Sequence, residues 1–160
     1  MNDARLEVHE LYMQEALRLA HLAEEEGEVP TGCIIVDTLT VRRTPDIILA
    51  RTYNQIEQLR DCTAHAEMLA ITQASETLDD WRLTDTIMYV TKEPCPMCAG
   101  AIVHARIPVV VYGVADLQRG GASVFNLLSH PKLNHRCEVI PGILEAPCKS
   151  MLQDFFRNRR

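Results

Sequence analysis

The chain has 160 residues, 47% of them hydrophobic and 24% charged, with a formal net charge of −6; that balance fits one compact domain and excludes a fibre or a disordered tail. The opening MNDARLEVHE carries acids where an export signal needs a basic and then an apolar stretch, and no uncharged apolar run approaches the ~20 residues of a membrane span. The reading is therefore a cytoplasmic protein with no membrane partner.

In chain order, Tyr12, Ala16, Leu19, Ala20 and Ala23 make a helical stripe that stops at Gly27, which predicts an amphipathic opening helix. GCIIVD and DIILAR are short β-branched runs on either side of a polar stretch with Pro45, and read as an antiparallel pair joined by a loop. TAHAEMLAITQAS is helical, TIMYVT is a strand, and PMCAGAIVHAR is a helix with Pro96 in its first turn. PVVVYG is a further strand. After a loop with Gly120 and Gly121, a short helix is expected near VFNLLSH, a last strand at CEVI and a closing helix over 144–158. Alternating strands and helices predict one α/β layered domain over 1–160. Its sheet is mixed, because one connection is too short for a parallel crossover.

Charge is divided unevenly: residues 1–80 hold 6 basic and 16 acidic side chains, residues 81–160 hold 10 and 6. An anionic partner would approach the second half. The closing FFRNRR sets Arg157, Arg159 and Arg160 beside two aromatic rings, a combination suited to phosphates and unstacked bases and equally to a solvated helix end whose cations oppose the macrodipole.

The six cysteines have no export signal to make them disulfides, so the pair at 95 and 98 points to metal or redox chemistry, and the other four read as small buried hydrophobes. With Pro96 opening a helix, Cys95 and Cys98 lie three apart at its mouth. There the backbone N–H groups favour the thiolate that a metal needs. Alone a C-x-x-C is ambiguous; a thioredoxin-like couple would leave TAHAE unexplained. In TAHAE, His65 and Glu67 are two apart and cannot ligate one ion side by side on a regular helix, unless they sit at its first turn. His65, Cys95 and Cys98 then supply three ligands for zinc. Glu67 stands beside the fourth, water-bearing position, where a carboxylate can move protons to a leaving group. H-x-E followed by P-C-x-x-C is the known signature of zinc deaminases. The alternative is a closed structural knot, in which Cys62, three before His65, adds a fourth ligand and nothing is catalysed.

With TAHAE and EPCPMCAGAIVHARI in hand, the sequence resembles the bacterial tRNA-specific adenosine deaminases of the cytidine-deaminase-like superfamily. The likeness extends to GEVPTG, to Tyr53 and Asn54, to YGVAD, HPKLNHR and DFFRNRR. It implies a three-layer α/β/α sandwich with a central mixed sheet of about five strands, and hydrolytic conversion of the wobble adenosine of a tRNA anticodon stem-loop to inosine. It also implies a homodimer. Carried over by residue, His65, Cys95 and Cys98 hold zinc and Glu67 shuttles protons. Asn54 and the stretch with Glu28 and Pro30 lie beside the purine, and Asp116 and Phe156 lie near the flanking nucleotides. Asn54 also reads as a turn residue, Asp116 as a loop acid, Phe156 as a packing aromatic, and His104 and His135 as structural or surface groups. The sequence departs from the family at Cys62, where proline is usual, at Lys92, where an apolar residue is common, in a longer polar stretch LTVRRTP and in a glycine loop one residue shorter. Two rival functions remain: a deaminase of a free base or nucleoside of guanine or cytosine type, and a zinc-stabilised binding module without catalysis.

Overall fold

The computed structural model describes residues 1–38 and 48–159; the stretch LTVRRTP, with Pro45, lies outside them. The elements are α1 (Asp3–Glu25), β1 (Gly32–Asp37), β2 (Ile48–Tyr53), α2 (Ile56–Leu59), α3 (Ala66–Leu78), β3 (Thr86–Lys92), α4 (Pro96–Ala105), β4 (Val109–Val114), β5 (Glu138–Ile140) and α5 (Glu145–Arg157). The strands form one sheet in the order β2-β1-β3-β4-β5. β1 pairs antiparallel with both β2 and β3, whereas β3 with β4 and β4 with β5 are parallel. The expected mixed sheet of five strands is therefore present, with the antiparallel pair at its start.

Side-chain alternation sorts the strands onto two faces. Ile34 and Val36 of β1, Tyr89 of β3 and Val111 of β4 pack with Tyr12, Met13, Ala16 and Leu19 of α1 and Cys148 of α5. Cys33, Ile35, Met88, Val90, Val110 and Tyr112 point the other way, onto Ala66, Ala70 and Ala74 of α3 and Ala99 and Ile102 of α4. Helices thus cover both faces, as the near-continuous apolar runs of the parallel strands require. Small residues bring the layers close: a Cβ on Gly32 would strike the Ala16 carbonyl oxygen of α1.

The ends of the helices follow local chemistry. The Asn2 side chain accepts a hydrogen bond from Arg5 N at 3.0 Å and starts α1. Arg60, Asp79 and Arg106 stop α2, α3 and α4 in the left-handed region at φ 52°, 52° and 64°.

The second strand is described over Ile48–Tyr53; the first two residues of DIILAR, 46 and 47, lie outside the described residues. One expectation needs correction. VFNLLSH is not a helix but a series of turns, because Phe125 N and Leu127 N bond outside the i→i−4 pattern and Asn126 is left-handed. Ala122 N and Ser123 N donate to the Glu93 carboxylate. Val124 N and Phe125 N both reach Gly120 O, and Asn126 then turns to φ 50°. No described helix is long and apolar enough to cross a membrane.

Candidate active site

Two helix starts meet at one end of the sheet. His65 precedes α3 in extended backbone at φ −68°, ψ 150°, and Cys95 holds the same place before α4 at φ −70°, ψ 171°. Pro96 has no N–H to lose and its ring presets the helical φ, so α4 begins there and Cys98 falls within its first turn. On the other side, Thr52 Oγ1 donates to Ala66 O at 2.7 Å and fixes the start of α3 to β2.

His65 Nδ1 lies 3.6 Å from Cys95 Sγ and 3.5 Å from Cys98 Sγ, and the three ligand atoms are all within 4.8 Å of one another. Tetrahedral zinc with bonds of ~2.0 Å to nitrogen and ~2.3 Å to sulfur sets its N and S ligands about 3.5 Å apart. The donor set fits such an ion in the arrangement it already has. Among the described residues no other group of three His, Cys, Asp or Glu side chains converges in this way. Cys62 is exposed and outside the group, so the closed four-ligand knot is not assembled. Cys33, Cys137 and Cys148 are buried as expected, and Cys62 is the exception.

The ionisation of these groups follows from their contacts. The Cys98 thiol donates to Cys95 and, with His65 helping, holds the Cys95 thiol down to about 4, within the range of a standing thiolate. Cys98 itself, bonded to that thiolate and buried, is pushed far up. Contact with Cys95 raises the His65 imidazole. Glu67 occupies the first turn of α3 and is 4% exposed. Burial pushes its carboxyl up against the pull of a backbone N–H and of His65, toward the range where it can both take and give a proton.

His65, Glu67 and Cys95 line a cavity of ≈ 220 Å³ together with Val29, Thr31, Asn54, Ile56, Lys92, Glu93 and Phe156; Cys98 is buried beside them. Asn54 is buried just beyond β2, its N–H on Thr31 O at 3.0 Å and its side-chain Nδ2 donating to Glu28 Oε2 at 3.3 Å. Glu28, 1% exposed, takes Gln58 N on its other oxygen at 2.8 Å. It stands behind Asn54 and is not part of the wall; Pro30 is likewise buried out of the cavity, and Val29 and Thr31 line it instead. Phe156 lines the cavity edge-on to Phe155 and is half exposed. Asp116 is absent from the wall; its Oδ2 lies 3.0 Å from Lys92 Nζ. His104 is exposed, and His135 Nε2 sits 2.7 Å from Ile107 O, so neither joins the site.

Glu93 is the residue that sequence reasoning passed over. It is 2% exposed. Its Oε1 accepts from Ala122 N at 3.0 Å and Ser123 N at 2.6 Å, and its Oε2 accepts from Asp116 N at 2.7 Å and Ser123 Oγ at 2.9 Å. Gly121 N adds a bond to Pro94 O at 2.8 Å. A Cβ on Gly120 would strike the carboxylate, and one on Gly121 would meet Ala99 Cβ at 2.6 Å. The glycines are there to let the 116–123 loop lie against the start of α4. An acid between an apolar strand and a Pro-Cys turn was the available signal.

Comparison with known proteins agrees with this geometry. Residues 7–160 match the model of the MafB19-like deaminases. The chain is 46% identical over 153 residues to a tRNA-specific adenosine deaminase of Bacillus subtilis, covering 94% of this chain and 90% of the relative. It is 42% identical over 156 residues to one from Streptococcus pyogenes, covering 97% and 94%. A solved structure from work on A-to-I editing by tRNA:A34 deaminases at the wobble position of transfer RNA superposes with a TM-score of 0.80 at 38% identity, over 88% of this chain and 97% of that one.

Proposed function

The chain belongs to the family of bacterial tRNA-specific adenosine deaminases, and from that membership we infer that it converts the wobble adenosine of a tRNA anticodon loop to inosine with release of ammonia. The observation that carries the reading is the convergence of His65, Cys95 and Cys98 at a cavity that His65, Cys95 and buried Glu67 line.

His65 Nδ1, Cys95 Sγ and Cys98 Sγ are the side chains that would hold zinc, which when bound supplies Lewis acidity that activates water near neutral pH. Glu67 takes a proton from the attacking water and passes it to the purine ring and the departing amine, so that a C–O bond replaces the C–N bond at the purine carbon that carried the amine. Asn54, aimed by Glu28, offers its amide to the polar edge of the base, while Val29 and Ile56 exclude water from its faces. Phe156 gives a ring at the mouth on which a neighbouring base can stack. An anticodon loop presents its bases unpaired, which lowers the cost of drawing one into the cavity. Leu117, Val124 and Phe125 leave apolar surface exposed along the loop that Glu93 holds, and this surface supports a homodimer, which sedimentation at several concentrations would reveal as one species of twice the chain mass.

The test is incubation with an anticodon stem-loop bearing adenosine at the wobble position, read by sequencing and by ammonia release, with free guanine and cytosine in parallel. Inosine in the stem-loop supports the reading; ammonia from free guanine with no inosine overturns it in favour of a free-base deaminase.

A further inference from the structure

We propose that Lys92, the last residue of β3, binds a backbone phosphate beside the target nucleotide and that Asp116 is the residue that aims it. This rests on the reading that the substrate is RNA. Among the described residues that wall the cavity, Lys92 is the one with a permanent positive charge. Its acidic neighbours are Glu67 and Glu93 in the wall and Glu28 behind it, inside a chain whose net charge is already −6. A neutral base can enter such a site unaided. The phosphodiesters on either side of it cannot approach without a cation at the mouth.

The geometry gives Lys92 that place. Its side chain is 39% exposed, and its Nζ lies 3.0 Å from Asp116 Oδ2. Asp116 is committed on its other side: Oδ1 accepts from Gln118 N at 3.1 Å and Arg119 N at 3.0 Å, while Asp116 N is tied to Glu93. The carboxylate is therefore held in place, with three of its roughly four lone-pair positions taken. The ammonium has three N–H groups, one of which faces Asp116, so the pair presents more spare donors than spare acceptors. An anion fits such a pair better than a base edge does. A flexible side chain held by a rigid partner also binds with less entropy to lose.

The test is equilibrium binding of a labelled anticodon stem-loop by anisotropy across a salt series, with inosine formation measured on the same samples. The proteins are wild type, Lys92→Met, Lys92→Gln and Lys92→Arg, with Arg82→Gln, at the opposite end of β3, controlling for the loss of one charge. Two further stem-loops carry a methylphosphonate in place of the phosphate on one side or the other of the target adenosine. Removing the ammonium should weaken binding about tenfold and flatten the salt slope by about 0.7 to 1, with Lys92→Arg close to wild type and Arg82→Gln showing a smaller change. One of the methylphosphonates should cost wild type a similar factor and cost Lys92→Met nothing more. Equal affinity and salt slope in wild type, Lys92→Met and Lys92→Gln would overturn the proposal, as would a methylphosphonate penalty that both proteins share. Lys92-dependent binding without any inosine would leave the phosphate contact standing and overturn the deaminase reading instead.

Discussion

Glu67 sits where a proton carrier must, buried at the head of α3 beside the three candidate ligands, but its carboxylate is no part of their set. Glu67→Gln should therefore lower turnover by about 10²- to 10⁴-fold while metal content, measured by mass spectrometry, stays at the wild-type level. Loss of the metal along with the activity would assign Glu67 to coordination instead. Glu93 works differently, since its carboxylate satisfies three backbone amides and one hydroxyl. Glu93→Ala leaves those donors buried without an acceptor and should cost about 2–4 kcal/mol in urea unfolding. The candidate metal ligands were legible because chemistry restricts such groups to a few spacings. Glu28 was named only through the resemblance and Glu93 was passed over, because the backbone amides that each carboxylate accepts from lie far away in the chain.

At the level of the elements, α1 carries a titratable group into the core. His9 is 3% exposed, with Nδ1 2.9 Å from the Tyr89 hydroxyl and no partner at Nε2. Burial, with Arg5 nearby, holds its pKa below the ordinary value, opposed only by Glu138. The folded chain keeps His9 neutral while the unfolded chain protonates it below about 6.5, so this contribution to stability is intact above pH 6.5 and is lost as the pH falls toward the folded pKa. Urea midpoints should thus decline as the pH falls from 7 to 5.5, and His9→Gln should reduce that decline; identical slopes would remove His9 from the explanation. The elements themselves were mostly readable from period and punctuation. α1 is announced by its apolar stripe and α4 by its proline. VFNLLSH misled because its helical composition is overridden at Asn126, whose φ of 50° breaks the helical path of the backbone. Composition does not mark that turn.

In the molecule as a whole, two separate apolar layers hold the sheet between its helices, and neither contains His65 or Cys95. A chelator should accordingly abolish activity, with recovery on adding zinc back, while the far-ultraviolet dichroism is kept and unfolding remains cooperative. If the chain instead unfolds on chelation, the ion is structural and the exposed position of Cys62 has misled us. The mixed sheet and its layers were foreseeable from the alternation of strands and helices. The packing of Arg159 was not: though exposed, it donates to Gly27 O at 2.6 Å and lies 4.2 Å over the Phe155 ring. Free and clasped arginines look alike in sequence, and only the meeting of the chain after α5 with the end of α1 separates them.

That clasp bears on biogenesis. The ribosome releases residues in numerical order, so the imidazole at 65 and the thiols at 95 and 98 leave the exit tunnel well before the aromatic wall at 156. A nascent chain thus owns its candidate metal ligands while the pocket still lacks one side, so that an ion held by them would be acquired before any encounter with substrate.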